Sequence, residues 1–165
     1  MQNAKIQDLT PNLSGVRQKE MMKDMIPKLV HFFQNEAERF GVAAAFLYGS
    51  FARGFPRQDS DLDVAIVFDD DSDEDIIYRR LLDISLLLSE RSGRDVNLIP
   101  IYWDFRKPLL YYNAIVLGIP VFTKNNDDLK YLKLEALFQM EDFAIFGLEW
   151  QSNLARNNLE VICHA

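Results

Sequence analysis

The chain runs Leu47-Tyr48-Gly49-Ser50-Phe51-Ala52-Arg53-Gly54, then five residues, then Ser60-Asp61-Leu62-Asp63-Val64. An apolar run, Ala43 to Tyr48, stops at Gly49-Ser50. That pattern predicts a buried strand giving way to a tight turn. Gly49 has no Cβ, so a phosphate can approach its backbone. Ser50 offers a hydroxyl and an amide to a phosphate oxygen. A short helix over 51–54 adds the amides of its first turn. Beyond it, Asp61 and Asp63 stand two apart in a strand, so both project from one face. Two carboxylates together repel, and a divalent ion compensates that charge, which makes the pair a candidate Mg²⁺ site. A Gly-Ser turn alone, or an Asp-x-Asp pair alone, is common on protein surfaces. Their order and spacing here point to one site.

Length and composition set the limits. With 165 residues, 48% of them hydrophobic and 12 of them Phe, the chain suits one folded domain with a substantial core. Its net charge of −7 makes it a poor bulk binder of nucleic acid, so no direct nucleic-acid contact is expected. A small nucleotide or a basic protein partner suits it better. Cys163 is the single cysteine, which rules out an internal disulfide. His31 and His164 lie far apart and form no zinc spacing with it. The first eleven residues lack a signal-peptide core, and no apolar run is long enough to span a bilayer. A cytoplasmic location is expected, with no membrane association.

Around the central stretch, helix and strand periods alternate. Residues 1–24 read as an arm or a short helix. Ile26, Leu29, Val30, Phe33, Ala37 and Phe40 recur at helical spacing. Pro27 interrupts that pattern, which predicts a helix start at Asp24 as N-cap with Pro27 in the first turn, and an end at Gly41. Ala43–Tyr48 and Leu62–Phe68 are the first two strands, the second apolar on both faces and therefore central. Six acids in the seven residues from Asp69 to Asp75 read as a solvated helix start capped by Ser72 or Asp73. The helix continues to Glu90, with Leu81, Leu82, Ile84, Ser85 and Leu88 as its buried stripe. Asp95–Ile101 is a third strand, and Pro108–Leu117 a helix. Ile119–Phe122 is an edge strand marked by Pro120. The last helix covers 125–160 and carries more apolar residues, Trp150 among them, than one face can bury in a monomer. Homo- or hetero-oligomer formation through it is the expectation. Residues 1–165 form one domain on this reading.

The signature Gly-Ser-x-Ala-Arg-Gly-x5-Ser-Asp-x-Asp resembles that of the DNA polymerase β-like nucleotidyltransferase superfamily. In a chain this short it is similar to the minimal nucleotidyltransferase (MNT) antitoxins of HEPN/MNT toxin–antitoxin pairs. The resemblance is specific at residues 49–64 and covers about 25–150 in element order. It implies an α/β (α+β) nucleotidyltransferase fold: a small mixed sheet flanked by helices, with a long C-terminal helix. Helices would cover one face of the sheet, with the acids on the other or at its edge.

The same resemblance implies the chemistry. Asp61 and Asp63 would be catalytic and hold Mg²⁺, and Gly49, Ser50 and Arg53 would bind the nucleotide. An ion pair with an acid is the alternative role for Arg53. ATP would be the AMP donor, and a tyrosine on a cognate HEPN ribonuclease toxin the acceptor. One departure stands out. Active members carry a third acid on the next strand, in Val-Asp-Leu-Val, where this chain has Val96-Asn97-Leu98-Ile99. Asn97 is neutral and can neither bind a second metal well nor take a proton. Asp95 is the nearest substitute, about 7 Å along the strand from Asn97. Three functions therefore follow: a protein adenylyltransferase, an antitoxin that neutralises by binding alone, or a small-molecule transferase of the aminoglycoside-modifying kind.

Overall fold

The computed structural model describes residues 13–70 and 73–163, with side chains described over 15–70 and 73–148. Residues 1–12, Ser72 and the Trp150 side chain, each assigned a role from sequence, lie outside these bounds.

Helix α1 (Leu13–Phe40) buries Met25, Leu29, Phe32, Phe33 and Phe40 along one face. It does not start at Asp24. Pro27 sits inside it, and the helix runs upstream for more than three further turns. Proline removes one backbone bond and crowds the preceding turn. Met21, Met22 and Met25 continue the apolar face beyond the ring and pack on the core. Their burial offsets that local cost.

Strand β1 (Val42–Tyr48) follows Gly41, then the short helix α2 (Gly49–Ala52) and strand β2 (Leu62–Phe68). Helix α3 (Glu74–Ser92) leads to strand β3 (Val96–Ile101). Helix α4 (Pro108–Tyr111) passes into a π-helical turn, Tyr112–Val116, then strand β4 (Ile119–Thr123) and helix α5 (Asn126–Cys163). The sheet order is β3-β2-β1-β4. Strand β1 is antiparallel to both neighbours, and β2 is parallel to β3. Helix α3 makes the crossover that a parallel pair requires. The sheet is therefore mixed, with β2 internal and β4 at an edge, as its apolar run and Pro120 predict. The opposite edge strand, β3, also contains a proline, Pro100.

Both faces are covered, which corrects the expectation of one open face. Under α1 and α3 lie Ala45, Leu47, Val64 and Ile66 with Leu29, Phe33, Ile84 and Leu88. On the other face Phe46, Ala65 and Val67 meet Tyr111, Ala114 and Ile115, and then Leu132 and Ala136 of α5. Each fully buried Leu, Ile or Phe contributes about 1.5–3 kcal/mol. The second layer is possible because Gly118 has no side chain. A Cβ there would overlap Ala114 O and stand 2.9 Å from Leu47 O.

Two further expectations change. The helix predicted over Pro108–Leu117 is α-helical for only one turn. Leu117 N donates to Tyr112 O at 3.2 Å, five residues back, and the extra residue lets both Ala114 and Ile115 face inward. Leu82, placed in the buried stripe of α3, is 47% exposed, and Ile77 takes the inner position. The acidic run behaves as a solvated helix start. Asp73 accepts from Asp75 N at 2.9 Å, while Asp69 pairs with Lys124 and Asp70 with Arg80, each at 2.8 Å.

Candidate active site

The turn after β1 is tightly wound. Helix α2 begins at Gly49, two residues earlier than expected, so Ser50 belongs to its first turn. Arg53 N donates to Gly49 O at 3.1 Å and Phe55 N to Ser50 O at 3.0 Å. Phe51 is fully buried and pins the turn to the core. Gly49 has φ +71°, which a residue with a Cβ adopts only under strain.

Strand register explains how the distant residues meet. Tyr48 pairs with Asp63 across β1 and β2, and Asp63 pairs with Asn97 across β2 and β3. The three side chains therefore form a row on one face, at the end of the sheet. Asp61, two residues before Asp63, joins it. Asn97 Nδ2 donates to Asp61 Oδ2 at 3.2 Å and to Asp63 Oδ1 at 3.3 Å. A single amide group thus bridges both carboxylates.

Gly49 has a role that the sequence alone does not reveal. A Cβ there would overlap Asp63 Oδ2 and lie 2.9 Å from Asp63 Cγ. The space that glycine leaves is filled by the carboxylate of Asp63. The turn and the acid pair are one packed unit.

The electrostatics match this placement. Burial pushes the Asp63 carboxyl above its ordinary range, the Asn97 bond opposes that, and the charge of Asp61 raises it further. Tyr48, half-buried, has its hydroxyl pushed up to about 12 by burial and then by Asp63. Two carboxylates that converge on one point also suit a cation. Among the described residues, no third His, Cys, Asp or Glu joins them in a metal-binding group. The oxygen ligands on offer are the two carboxylates, since Asn97 turns its NH₂ group to them, and they fit a hard divalent ion.

The remaining predicted residues divide. Ser50 and Arg53 line a pocket of about 490 Å³ with Tyr48, Gly49, Phe55 and Asn113. Arg53 Nη2 donates to Asn113 Oδ1 at 3.4 Å, so its described partner is an amide and not the acid considered from sequence. Asp95 precedes β3. Its carbonyl accepts from Leu62 N at 2.9 Å, and the residue lines a neighbouring cleft of about 720 Å³ that Asp61 also borders. Asn97 is the residue that meets the pair.

Sequence reasoning missed Asn113 and Arg94. Arg94 Nη1 donates to Gln58 O at 3.0 Å and Ser60 O at 3.1 Å, and its guanidinium lies 5.3 Å from the centre of the Phe51 ring. It ties the loop before Asp61 to α2 and to the start of β3. An arginine beside Gly93 reads as ordinary surface, and nothing in local spacing marks it.

A family model described as polymerase beta, nucleotidyltransferase matches residues 27–127. No curated protein matches the sequence. Among solved structures, a mutant of the MntA-HpeT toxin–antitoxin superposes with TM-score 0.57 at 14% identity, covering 79% of this chain and 96% of that one. A toxin–antitoxin structure with AMP-PNP has TM-score 0.57, 15% identity and the same two coverages. A structure from Shewanella oneidensis has TM-score 0.50 at 15% identity, covering 78% of this chain and 94% of that one. At these identities the likeness is one of fold.

Proposed function

Because the chain belongs to the polymerase β nucleotidyltransferase family, we propose that it transfers AMP from ATP to a tyrosine hydroxyl on a cognate HEPN toxin and so acts as its antitoxin. The observation that carries this reading is the convergence of Asp61 and Asp63 on Asn97, packed against the Gly49 turn. The fold shared with toxin–antitoxin proteins, one of them solved with AMP-PNP, supports it.

In this reading Ser50 and the first-turn amides of α2 hold phosphate oxygens, and Arg53 lies beside them in the same pocket. Asp61 and Asp63 would hold Mg²⁺, which when bound neutralises phosphate charge and stabilises the departing pyrophosphate. The acceptor oxygen forms a bond to the α-phosphorus, the bond from that phosphorus to the bridging oxygen breaks, and pyrophosphate leaves. The hydroxyl proton passes to water. Phosphoryl-type transfer depends mainly on positioning and charge neutralisation, so two acids can suffice.

One feature favours a second reading, in which the protein neutralises the toxin by binding alone. The neutral Asn97 occupies the place beside Asp63 where the resemblance calls for an acid. One experiment separates the two. The purified protein is incubated with α-labelled ATP, Mg²⁺ and the toxin encoded beside it. Label on the toxin that disappears with Asp61→Ala or Asp63→Ala supports transfer. Full neutralisation by the double variant, with no label moved by the wild type, removes catalysis.

A further inference from the structure

Among the described residues, helix α5 is covered on one side only. Leu132 and Ala136 are fully buried against the sheet's second face. On the other side Tyr131, whose ring tilts against that of Trp103 at 6.3 Å between centres, and Leu134, Phe138, Ile145 and Leu148 are 52–68% exposed. Their spacing of three, four, seven and three places them within an arc of about 100°, a continuous seam. Single exposed apolar residues need no explanation, but an ordered seam does.

The charges around the seam say what covers it. Asp128, Glu135 and Asp142 recur every seven residues along one flank, while Lys133 lies on the other and Lys130, paired with Asp127 at 2.9 Å, stands at the seam's N-terminal end. Glu135 accepts from Gln139, and the row remains acidic along its length. Glu141, exposed, falls within the seam itself. A second copy of the chain fits poorly in either direction. Antiparallel packing sets the acidic row against itself, and parallel packing sets two Glu141 carboxylates face to face across the seam. An anionic surface is repelled for the same reason.

We infer that this seam docks an amphipathic helix of a different protein, with lysine or arginine along the side of its apolar stripe that faces Asp128, Glu135 and Asp142, and a cation opposite Glu141. The inference rests on the reading above only in that the chain works with a protein partner. It does not depend on the chemistry at Asp61 and Asp63.

The test uses the full chain and two labelled four-heptad peptides. Both carry leucine at the two seam positions of each heptad, and one has lysine while the other has glutamate at the flanking positions. Fluorescence anisotropy should show the lysine peptide binding at least tenfold more tightly, with the preference lost in 0.5 M salt. Leu134→Ser with Ile145→Ser should weaken it at least tenfold. Asp128→Lys, Glu135→Lys and Asp142→Lys together should reverse the preference. Glu20→Lys, Asp83→Lys and Glu90→Lys, an equal change in net charge elsewhere, should leave it intact. Equal affinity for both peptides, or binding of neither, overturns the inference. So does a sedimenting dimer that Leu134→Ser with Ile145→Ser dissociates, or binding that appears only after residues 1–12 are removed. ATP binding by the seam variants, read separately, distinguishes failure of this surface from failure of the active-site reading.

Discussion

Replacing Gly49 with alanine tests the packed unit of turn and carboxylate most directly. Two costs add. At φ +71° a residue with a Cβ is strained by about 1–2 kcal/mol. The new methyl also overlaps Asp63 Oδ2 and lies 2.9 Å from Cγ, so the carboxylate must move, at about 1–3 kcal/mol. The sum, about 2–5 kcal/mol, lowers the melting temperature by about 5–15 °C for a chain of this size. Asp63→Ala removes the overlapping atoms and leaves only its own Cβ, 3.1 Å away. In that background Gly49→Ala should cost only the backbone part, about 1–2 kcal/mol. Urea titration of the four proteins of this cycle reads the difference as a coupling energy of about 1–3 kcal/mol. Equal cost in both backgrounds would refute the idea that Gly49 exists to admit Asp63. It would leave backbone conformation as the whole reason for the glycine.

Three other outcomes are expected. Asp63→Asn should raise the melting temperature at pH 7 without metal, by about 2–4 °C, since neutralising a charged site residue commonly stabilises. The folded carboxyl has its proton affinity raised above the usual 3.8. Its contribution is thus intact below about pH 4 and lost as pH rises through the folded value, so the gain should vanish at pH 3. A scan of melting temperature against pH in Mg²⁺-free buffer checks it. Asn97→Asp replaces the bridging amide with a third negative charge, so it should tighten Mn²⁺ binding at least tenfold by isothermal titration and lower the metal-free melting temperature by several degrees. Arg94→Met removes both hydrogen bonds that Arg94 Nη1 donates to carbonyls of the loop before Asp61. Hydrogen exchange over residues 57–62 should speed up about tenfold, with or without nucleotide.

Much of the fold is legible locally. The run Leu62–Phe68 is apolar on both faces, and it forms an internal strand with those limits. Pro120 marks β4 as an edge, and Asp73 with Gly93 bound α3. The Asp61–Asp63 pair is visible because strand period two needs no tertiary knowledge. What escaped depends on contacts far along the chain. Pro27 reads as a helix start by local rules, yet the burial of Met21 and Met25 carries the helix through it. Gly49 reads as a phosphate approach because the atom that needs its space belongs to Asp63, fourteen residues on. Arg94 acts across 34 and 36 residues on two carbonyls, which no periodicity records. The second helical layer hangs on Gly118 meeting Leu47 and Ala114.

Each outer strand of the sheet carries a proline, Pro100 in β3 and Pro120 in β4. A bare edge strand is a template on which further chains can stack into fibrils. The two rings remove an amide hydrogen from either border, so such growth meets a break at both margins. A chain with a large apolar content can then stand at high concentration without polymerising through its sheet.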